Sequence, residues 1–432
     1  MPMRFPSSSR VLISLMMLSL ASTSIYGSTA KKKRRVSTGK AAAVHSTAAR
    51  TSTARRTTAL RSTSSRRVPA NAAVHSARLL ASTHTPVTHL STRRTSKRFW
   101  SPWTEPTYAD STVGDFIDGD DLTVRRAAVE ALGPMNGTVV VADPTTGRVL
   151  TLVNQRVALK SGFQPCSTIK IVAALAGLSE GLIERTTAIH LYGRTSMGLT
   201  EAIAHSNNLY FASVGQKLGF ERVSYYAKLY GLGEKAGLNI NGEEAGTLPG
   251  DVPSEGLGMM TSFGSGISLT PLQLAALVSS IANGGTLYYL QYPRNQVEVD
   301  HFVPRVKRQL DIAQWIPEIR PGMLGAVEFG TARRASYATE DQTIAGKTGT
   351  CTDEKSPTHL GWFGSFNEVG KRKLVVVVLL TGGRGVSGPV ASGVAGAVYK
   401  NLAKENYFQQ EHPGSPVALL STQTCCNVRA SN

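Results

Sequence analysis

The segment PCSTIKIVAAL, residues 165–175, places a serine and a lysine at the start of an apolar run. Ser167 lies three residues before Lys170, at the start of an apolar segment with a helical pattern. Positions i and i+3 share a face of a helix, so the two side chains can touch. Lys170 is then either a surface residue at the edge of the apolar stripe or a base held next to Ser167 to take its proton.

The net charge of +18 is confined to the N-terminal part of the chain. Residues 1–100 contain 19 of the 47 Lys and Arg residues and no Asp or Glu, which leaves 28 basic residues against all 29 acidic ones in the remainder. The basic composition therefore belongs to a terminal segment, and the globular remainder is close to neutral. We do not expect nucleic acid as a partner.

The N-terminus has the pattern of a secretory signal over residues 1–30. Arg4 and Arg10 precede an apolar run at 11–21, and small residues follow it. The sequence therefore predicts an exported protein, located in the periplasm or the cell envelope. The basic run at 31–35 favours cleavage of the signal, because it would lie on the wrong side of an uncut anchor. Cleavage and association with the membrane are left open.

Residues 31–112 form a basic segment rich in Ser, Thr, Ala and Arg. Such a composition buries little apolar surface, so we expect this linker to be disordered. Two interpretations stand side by side. The linker is a solvated tether, or it is a polycation that binds anionic envelope polymers or the membrane surface.

Residues 113–405 are predicted to form one α/β (α+β) domain, followed by a tail at 406–432. β-Branched runs flank DPTTG at 143–147 and predict a hairpin over 136–155. The apolar run at 371–383 predicts a central strand buried on both faces. Strand patterns thus lie at both ends of the domain and helical patterns between them, which indicates a sheet built from both ends of the chain.

Two further short motifs carry polar side chains suited to chemistry. Ser206 and Asn208 belong to HSNN, a Ser-x-Asn that is common as a polar turn between helices. The third motif, KTGT, comprises Lys347, Thr348, Gly349 and Thr350. On a strand, its lysine and two hydroxyls could bind a carboxylate. A phosphate loop is not expected there, because Asp341 replaces the upstream glycine that such a loop needs.

In this order and spacing, the three motifs resemble those of the penicillin-binding, serine-active-site transpeptidase family. The segments FQPCSTIKIVAALAGL, EAIAHSNNLYFASVGQKLG and IAGKTGTC are similar to the catalytic domain of that family, and the resemblance spans about residues 113–403. It implies a β-lactamase/transpeptidase-like fold, with a central antiparallel sheet, flanking helices and an all-helical subdomain.

The resemblance also implies a role for each motif residue. Ser167 would be the acylated nucleophile and Lys170 its general base, which offers an answer to the lysine's place in the apolar stripe. Ser206 would relay the proton to the leaving amine, and Asn208 would bind the substrate backbone. Lys347 would act as a fourth catalytic residue that tunes this proton path, and it would also attract the substrate carboxylate. Thr348 and Thr350, with Gly349 between them, would bind the substrate carboxylate. The backbone N–H groups of Ser167 and Thr350 would form the oxyanion hole.

The substrates implied by the resemblance are peptidoglycan stem peptides, with β-lactam antibiotics as covalent inhibitors. The expected activity is a D,D-transpeptidase. A D,D-carboxypeptidase, a β-lactamase of the same fold and a non-catalytic sensor or wall-binding domain remain as alternatives, because only the basic linker precedes the domain. Glu243 and Glu244 match a structural pattern of the transpeptidases, which weighs against efficient β-lactam hydrolysis. We expect no cofactor and no metal, since the histidines have no ligand spacing.

Cys166 departs from the family pattern, which usually has glycine before the nucleophile. Cys351 directly follows the KTGT motif. Some class A β-lactamases have a disulfide near these same motifs, and an exported protein permits one. The resemblance therefore implies a Cys166–Cys351 bridge, with two buried thiols as the alternative. Cys425 and Cys426 lie in the C-terminal tail without an assigned role.

Overall fold

The computed structural model describes residues 104–160, 162–336, 343–353 and 356–410. The strands of this part are β1 (Gly137–Ala142), β2 (Val149–Val153), β3 (Ile189–Tyr192), β4 (Thr195–Met197), β5 (Thr286–Tyr288), β6 (Val306–Gln309), β7 (Ile344–Thr352), β8 (His359–Asn367) and β9 (Val375–Gly382). Its α-helices are α1 (Leu122–Leu132), α2 (Gln155–Ala158), α3 (Lys170–Ser179), α4 (Leu199–Ala204), α5 (Asn208–Leu218), α6 (Phe220–Leu229), α7 (Leu257–Phe263), α8 (Pro271–Ala282), α9 (Gln296–Asp300), α10 (Ile316–Glu328), α11 (Arg333–Ser336) and α12 (Gly388–Lys404). Two 3-10 turns, Cys166–Ile169 and Tyr407–Gln409, accompany them.

The predicted signal, most of the predicted linker and the cysteine pair of the C-terminal tail lie outside the described residues. Within them, no helix is both long enough and apolar enough to span a bilayer. Residues 104–112 hydrogen-bond to the domain, as in the 3.0 Å bond from the Asn136 amide to the Thr107 carbonyl. Tyr407 and Phe408 are buried. The packed region thus extends at both ends beyond the limits predicted at 113 and 405.

A five-stranded sheet in the order β2-β1-β9-β8-β7 forms the centre of the fold. Every neighbouring pair is antiparallel. The hairpin predicted around DPTTG is the β1–β2 pair, and the apolar run near the end of the chain is β9. The prediction of an antiparallel sheet built from both ends of the chain is confirmed.

The central strand β9 is buried along its whole length, and its two faces contribute to different cores. Val375, Val377 and Leu379 pack in a cluster with the apolar residues of α3 and α8. Val376 and Val378 face the other way, into a cluster with α1 and α12. Side chains alternate across a strand, so a strand covered by helices on both faces has a continuous apolar sequence. The result is a three-layered fold.

Helix α8 connects the helical region between β2 and β7 to the sheet. A capping box starts it, because the Thr270 hydroxyl accepts from the Gln273 amide and the Gln273 side chain accepts from the Thr270 amide. One face of this helix is buried in the core, and it comprises Leu274, Leu277, Val278 and Ile281. This helical region and the edge strand β7 together position the candidate site described below.

Replacement of Arg125 by alanine should lower the free energy of unfolding by about 3–5 kcal/mol. Its guanidinium lies 2.8 Å from a carboxylate oxygen of Asp115 and 3.1 Å from one of Asp120, and all three side chains are at most 10% exposed. The variant would leave two buried carboxylates without their cation. Arg126, which pairs with Glu405 at the surface, is the matched control, and Arg126→Ala should cost less than about 1 kcal/mol. Urea unfolding of both variants measures the difference, and similar midpoints would contradict it.

Candidate active site

The first motif folds as a 3-10 turn, Cys166–Ile169, that leads directly into α3 at Lys170. The sequence predicted the first turn of the helix itself. The difference matters because side chains at i and i+3 eclipse each other in a 3-10 turn, which places Ser167 below Lys170. Two contacts fix the start of the turn: the Thr168 hydroxyl donates to the Pro165 carbonyl at 2.7 Å, and the Trp362 indole donates to the Gln164 carbonyl at 2.9 Å.

Lys170 lies at the centre of the site and is fully buried. Its Nζ is 2.7 Å from the Ser167 hydroxyl and 3.1 Å from the Ser206 hydroxyl. The Ser206 carbonyl oxygen is 3.0 Å away and the Asn208 Oδ1 is 2.5 Å away. The sequence left open whether Lys170 lies at the surface or next to Ser167. In the structure it is buried, and its amine contacts the Ser167 hydroxyl.

The second motif is the short connection between α4 and α5. Ser206 has a φ of 56°, in the left-handed region, and this conformation turns both its hydroxyl and its carbonyl toward Lys170. Asn207 caps α5, since its Oδ1 accepts from the Tyr210 amide at 2.9 Å. Asn208 then reaches Lys170 from the first position of α5. The polar turn between two helices is therefore present, and it also contributes to the site.

The third motif lies on the edge strand β7, beside the nucleophile turn. Lys347 is fully buried, and its Nζ donates to the Thr348 carbonyl at 3.0 Å. Gly349 lets the strand come close, because a Cβ there would lie 3.0 Å from the Pro165 carbonyl oxygen and 3.1 Å from the Thr168 methyl group. Thr350 is exposed next to this contact. The structure thus brings all three motifs together.

A disulfide joins Cys166 to Cys351, the two residues for which the resemblance implied one, and their Cα atoms are 5.5 Å apart. It links the residue before Ser167 to the residue after Thr350. Cys166 is fully buried and has a φ of 50°, a conformation that glycine adopts more readily than other residues. The bridge therefore holds a left-handed backbone position directly beside the candidate nucleophile.

Burial lowers the pKa of both lysines. The pKa of Lys170 falls to about 6, because burial disfavours the ammonium and the nearby positive charge of Lys347 disfavours it further. The pKa of Lys347 falls to about 7 through burial. At neutral pH the Lys170 amine is therefore mainly uncharged. Its lone pair can accept the proton of the Ser167 hydroxyl at 2.7 Å.

Sequence reasoning missed several groups around this centre. The Ser262 carbonyl lies 3.5 Å from the Ser167 hydroxyl, and the Phe211 and Phe263 rings lie 6.0 and 5.6 Å from the Lys170 Nζ. Thr331 contacts Thr348 through its hydroxyl. These residues come from helices and loops far apart in the sequence. No short-range pattern in the sequence indicated them.

No group of His, Cys, Asp and Glu suited to a metal ion occurs among the residues that the structure describes. His205 packs against the Phe329 ring, with 5.6 Å between the ring centroids. His359 Nδ1 lies 3.3 Å from the Thr352 hydroxyl at the edge of the sheet. Glu243 is buried and accepts from the amides of Ala236 and Gly237, which fits the structural interpretation of this residue.

Known proteins are similar to this chain in sequence. The family model described as penicillin binding protein transpeptidase domain matches residues 137–404. Stage V sporulation protein D of Bacillus subtilis is 28% identical over 318 residues, which cover 64% of this chain and 48% of that protein. Peptidoglycan D,D-transpeptidase MrdA of Haemophilus influenzae is 26% identical over 361 residues, which cover 63% of this chain and 54% of that protein. The chain thus spans about half the length of these relatives.

Two solved structures show the same fold. Pseudomonas aeruginosa PBP2, solved in complex with WCK 5153, superposes with a TM-score of 0.56 at 24% identity, covering 69% of this chain and 79% of that one. The transpeptidase domain of Burkholderia pseudomallei penicillin-binding protein 3 superposes with a TM-score of 0.56 at 22% identity, covering 69% and 98%. The family match spans more than half of the chain and includes all three motifs, so the chain belongs to the penicillin-binding protein transpeptidase domain family.

Proposed function

We propose that this chain is a serine D,D-transpeptidase that cross-links peptidoglycan stem peptides through an acyl-enzyme on Ser167. The observation that carries the proposal is the buried Lys170 amine, 2.7 Å from the Ser167 hydroxyl and with a pKa of about 6. A serine hydroxyl is a weak nucleophile until a neighbouring base takes its proton. A lysine that is uncharged at neutral pH can do so, and one at its usual pKa cannot.

In the proposed acylation, the Ser167 oxygen attacks the carbonyl carbon of the penultimate D-Ala as Lys170 takes the hydroxyl proton. The backbone N–H groups of Ser167 and Thr350 stabilise the oxyanion that forms. As the peptide bond breaks, the proton passes by way of Ser206 to the leaving amine, and the terminal D-Ala departs. An amine of a second stem peptide then attacks the ester and regenerates Ser167.

In this proposal, the third motif binds the terminal carboxylate of the substrate. Thr348 and Thr350 offer hydroxyls to the terminal carboxylate, and Lys347 contributes positive charge in its protonated form. Asn208 accepts from Lys170 with its Oδ1, so its amide nitrogen is the donor left for the substrate backbone. The contact at Gly349 brings these groups alongside Ser167.

We also propose that the protein acts outside the cytoplasm, in the periplasm or the cell envelope. The predicted signal at 1–30 supports export, although these residues lie outside the described part of the chain. The disulfide supports it independently, because such bridges persist in oxidising compartments. Binding of the basic linker to anionic polymers or to the membrane surface stays a prediction.

A β-lactamase of the same fold is the second candidate, and the cysteine pair is the observation that favours it. The two activities differ in the fate of the acyl-enzyme, since a β-lactamase must hydrolyse it quickly. The hydrogen bonds of Ser167 and Lys170 go to hydroxyl, carbonyl and amide oxygens, and Glu243 is engaged with backbone amides. This arrangement favours a long-lived acyl-enzyme.

The test is to incubate the protein with a labelled penicillin and to follow its intact mass over time. We expect one stable adduct per chain, mapped to Ser167 by proteolysis, and none in the Ser167→Ala variant. A stem peptide ending in D-Ala-D-Ala, supplied with an amine acceptor, should then give a transferred product.

Each other result points to a different function. Consumption of the penicillin with only a transient adduct would indicate a β-lactamase. Release of D-Ala without transfer to the amine would indicate a carboxypeptidase. A stable adduct without turnover of any stem peptide would indicate a sensor, and the lack of any adduct would overturn the catalytic proposal.

A further inference from the structure

The segment Phe329–Thr331, between α10 and α11, contacts two of the three motifs at once. The Thr331 amide donates to the Ala204 carbonyl at 3.1 Å, next to the turn that carries Ser206. The Thr331 hydroxyl lies 2.6 Å from the Thr348 hydroxyl on β7. A Cβ on Gly330 would overlap the Ala204 carbonyl oxygen, so only glycine permits this approach. The segment thus connects the α4–α5 turn to the substrate strand.

The backbone of Thr331 makes the connection to the turn, and this leaves the hydroxyl for another role. Its distance to the Ala204 carbonyl is 3.4 Å, much longer than the 2.6 Å to Thr348. That carbonyl already accepts from the Thr331 amide. The stronger contact of the hydroxyl is therefore the one to Thr348, a side chain that the proposed function assigns to the substrate carboxylate.

A hydroxyl has one hydrogen to donate and two lone pairs to accept with. An ionised carboxylate only accepts, so Thr348 must donate its hydrogen to bind one. Its contact with Thr331 must then run in the other direction, from the Thr331 hydroxyl to the Thr348 oxygen. Hydrogen bonds in a chain polarise one another, so this donor also strengthens the bond from Thr348 to the anion.

We propose that Thr331 is a positioning residue that orients the Thr348 hydroxyl as a donor toward the carboxylate of the substrate. The inference rests on the proposed function and adds to it a determinant of specificity outside the three motifs. It concerns substrates and β-lactams that carry a free carboxylate. A residue that merely held the fold together would affect every substrate alike.

The test compares Thr331→Val with Thr331→Ser, using a penicillin and the methyl ester of the same penicillin. Valine keeps the shape of threonine and removes the donor, whereas serine keeps the donor. For the free acid, we expect Thr331→Val to lower the second-order acylation constant about 10–100-fold. Without this donor Thr348 no longer directs its hydrogen to the carboxylate, and the bond that is lost is one to a charged group. Thr331→Ser should stay within about threefold of the wild type. For the ester, both variants should match the wild type within about twofold.

Thermal unfolding of both variants establishes that they are folded before their rates are compared. An equal loss with acid and ester would show a general structural role and overturn the inference, as would an unchanged rate of Thr331→Val with the acid. Failure of the wild type to react with either compound is a different result, because it rejects the proposed function and with it the premise of this inference.

Discussion

Replacement of Lys170 by methionine is expected to slow acylation of Ser167 by a labelled penicillin about 10²–10⁴-fold, the usual contribution of a general base. Methionine has a similar length and fills the buried space, but it has no lone pair suited to the serine proton. The rate of adduct formation, followed by intact mass, measures the loss. Lys217, an exposed lysine on α5, gives the matched control, and Lys217→Met should react like the wild type.

The same lysine predicts the pH dependence of acylation. With a pKa of about 6, Lys170 is mainly uncharged at pH 7 and becomes an ammonium as the pH falls. An ammonium cannot accept a proton, so the acylation constant should fall about tenfold per pH unit below about pH 6. This acid limb should be absent from the residual activity of Lys170→Met. A limb that persisted in that variant would assign the titration to another group.

Lys347 offers an independent check on the cause of the lowered pKa. Its positive charge is one of the two effects that disfavour the Lys170 ammonium, the other being burial. Lys347→Met removes that charge and should raise the pKa of Lys170, so the acid limb should move to higher pH. The maximum rate should also fall for carboxylate substrates, because the proposed carboxylate-binding site loses its cation. An acid limb that stayed in place would mean that burial alone sets the pKa.

Much of this fold could be predicted because the sequence patterns are local. The β1–β2 hairpin follows from turn residues between β-branched runs, and β9 follows from an apolar run with polar or glycine residues on both sides. Ser167 and Lys170 are three residues apart, so their contact spans only one turn of chain. For these features, the nearest neighbours in sequence already determine the local conformation.

The remaining features depend on contacts between distant segments. Thr331 contacts Thr348 only because α10 and β7 pack together. The sequence FGTA at 329–332 has no local pattern that predicts this contact. The left-handed backbone of Ser206 is likewise set by its neighbours in space, since serine has no intrinsic preference for a positive φ. The 3-10 turn at Cys166–Ile169 forms where the disulfide and the indole of Trp362 hold the chain. Long-range packing of this kind cannot be extracted from periodicity.

Loss of the disulfide should have the second large effect, on both stability and acylation. The bridge joins two cysteines that are 185 positions apart in the sequence, and removing a native disulfide costs about 2–5 kcal/mol. We expect Cys351→Ser to lower the melting temperature by about 5–15 °C, given a shift of about 2–4 °C per kcal/mol for a domain of this size. Scanning calorimetry of the oxidised wild type and the variant measures this. Reduction of the wild type should give a similar shift.

Loss of the bridge should also slow acylation, because the bridge holds the backbone at Cys166. Cys166 occupies a left-handed position that is unfavourable for a residue with a Cβ, and the bridge to β7 keeps it there. Without the bridge, the turn can relax toward an ordinary backbone conformation and move the Ser167 hydroxyl away from Lys170. We expect Cys351→Ser to lower the acylation constant about 10–100-fold, since a displacement of about 1 Å can cost a hundredfold in rate.

The double variant Cys166→Gly/Cys351→Ser separates this strain from the loss of the bridge. Glycine adopts the left-handed conformation without penalty, so the turn should keep its shape although the bridge is gone. We therefore expect the double variant to acylate faster than Cys351→Ser alone, while its melting temperature stays low. If both variants acylate equally slowly, the bridge positions β7 directly and the backbone at Cys166 has no separate role. If both react like the wild type, the disulfide stabilises the fold without shaping the site.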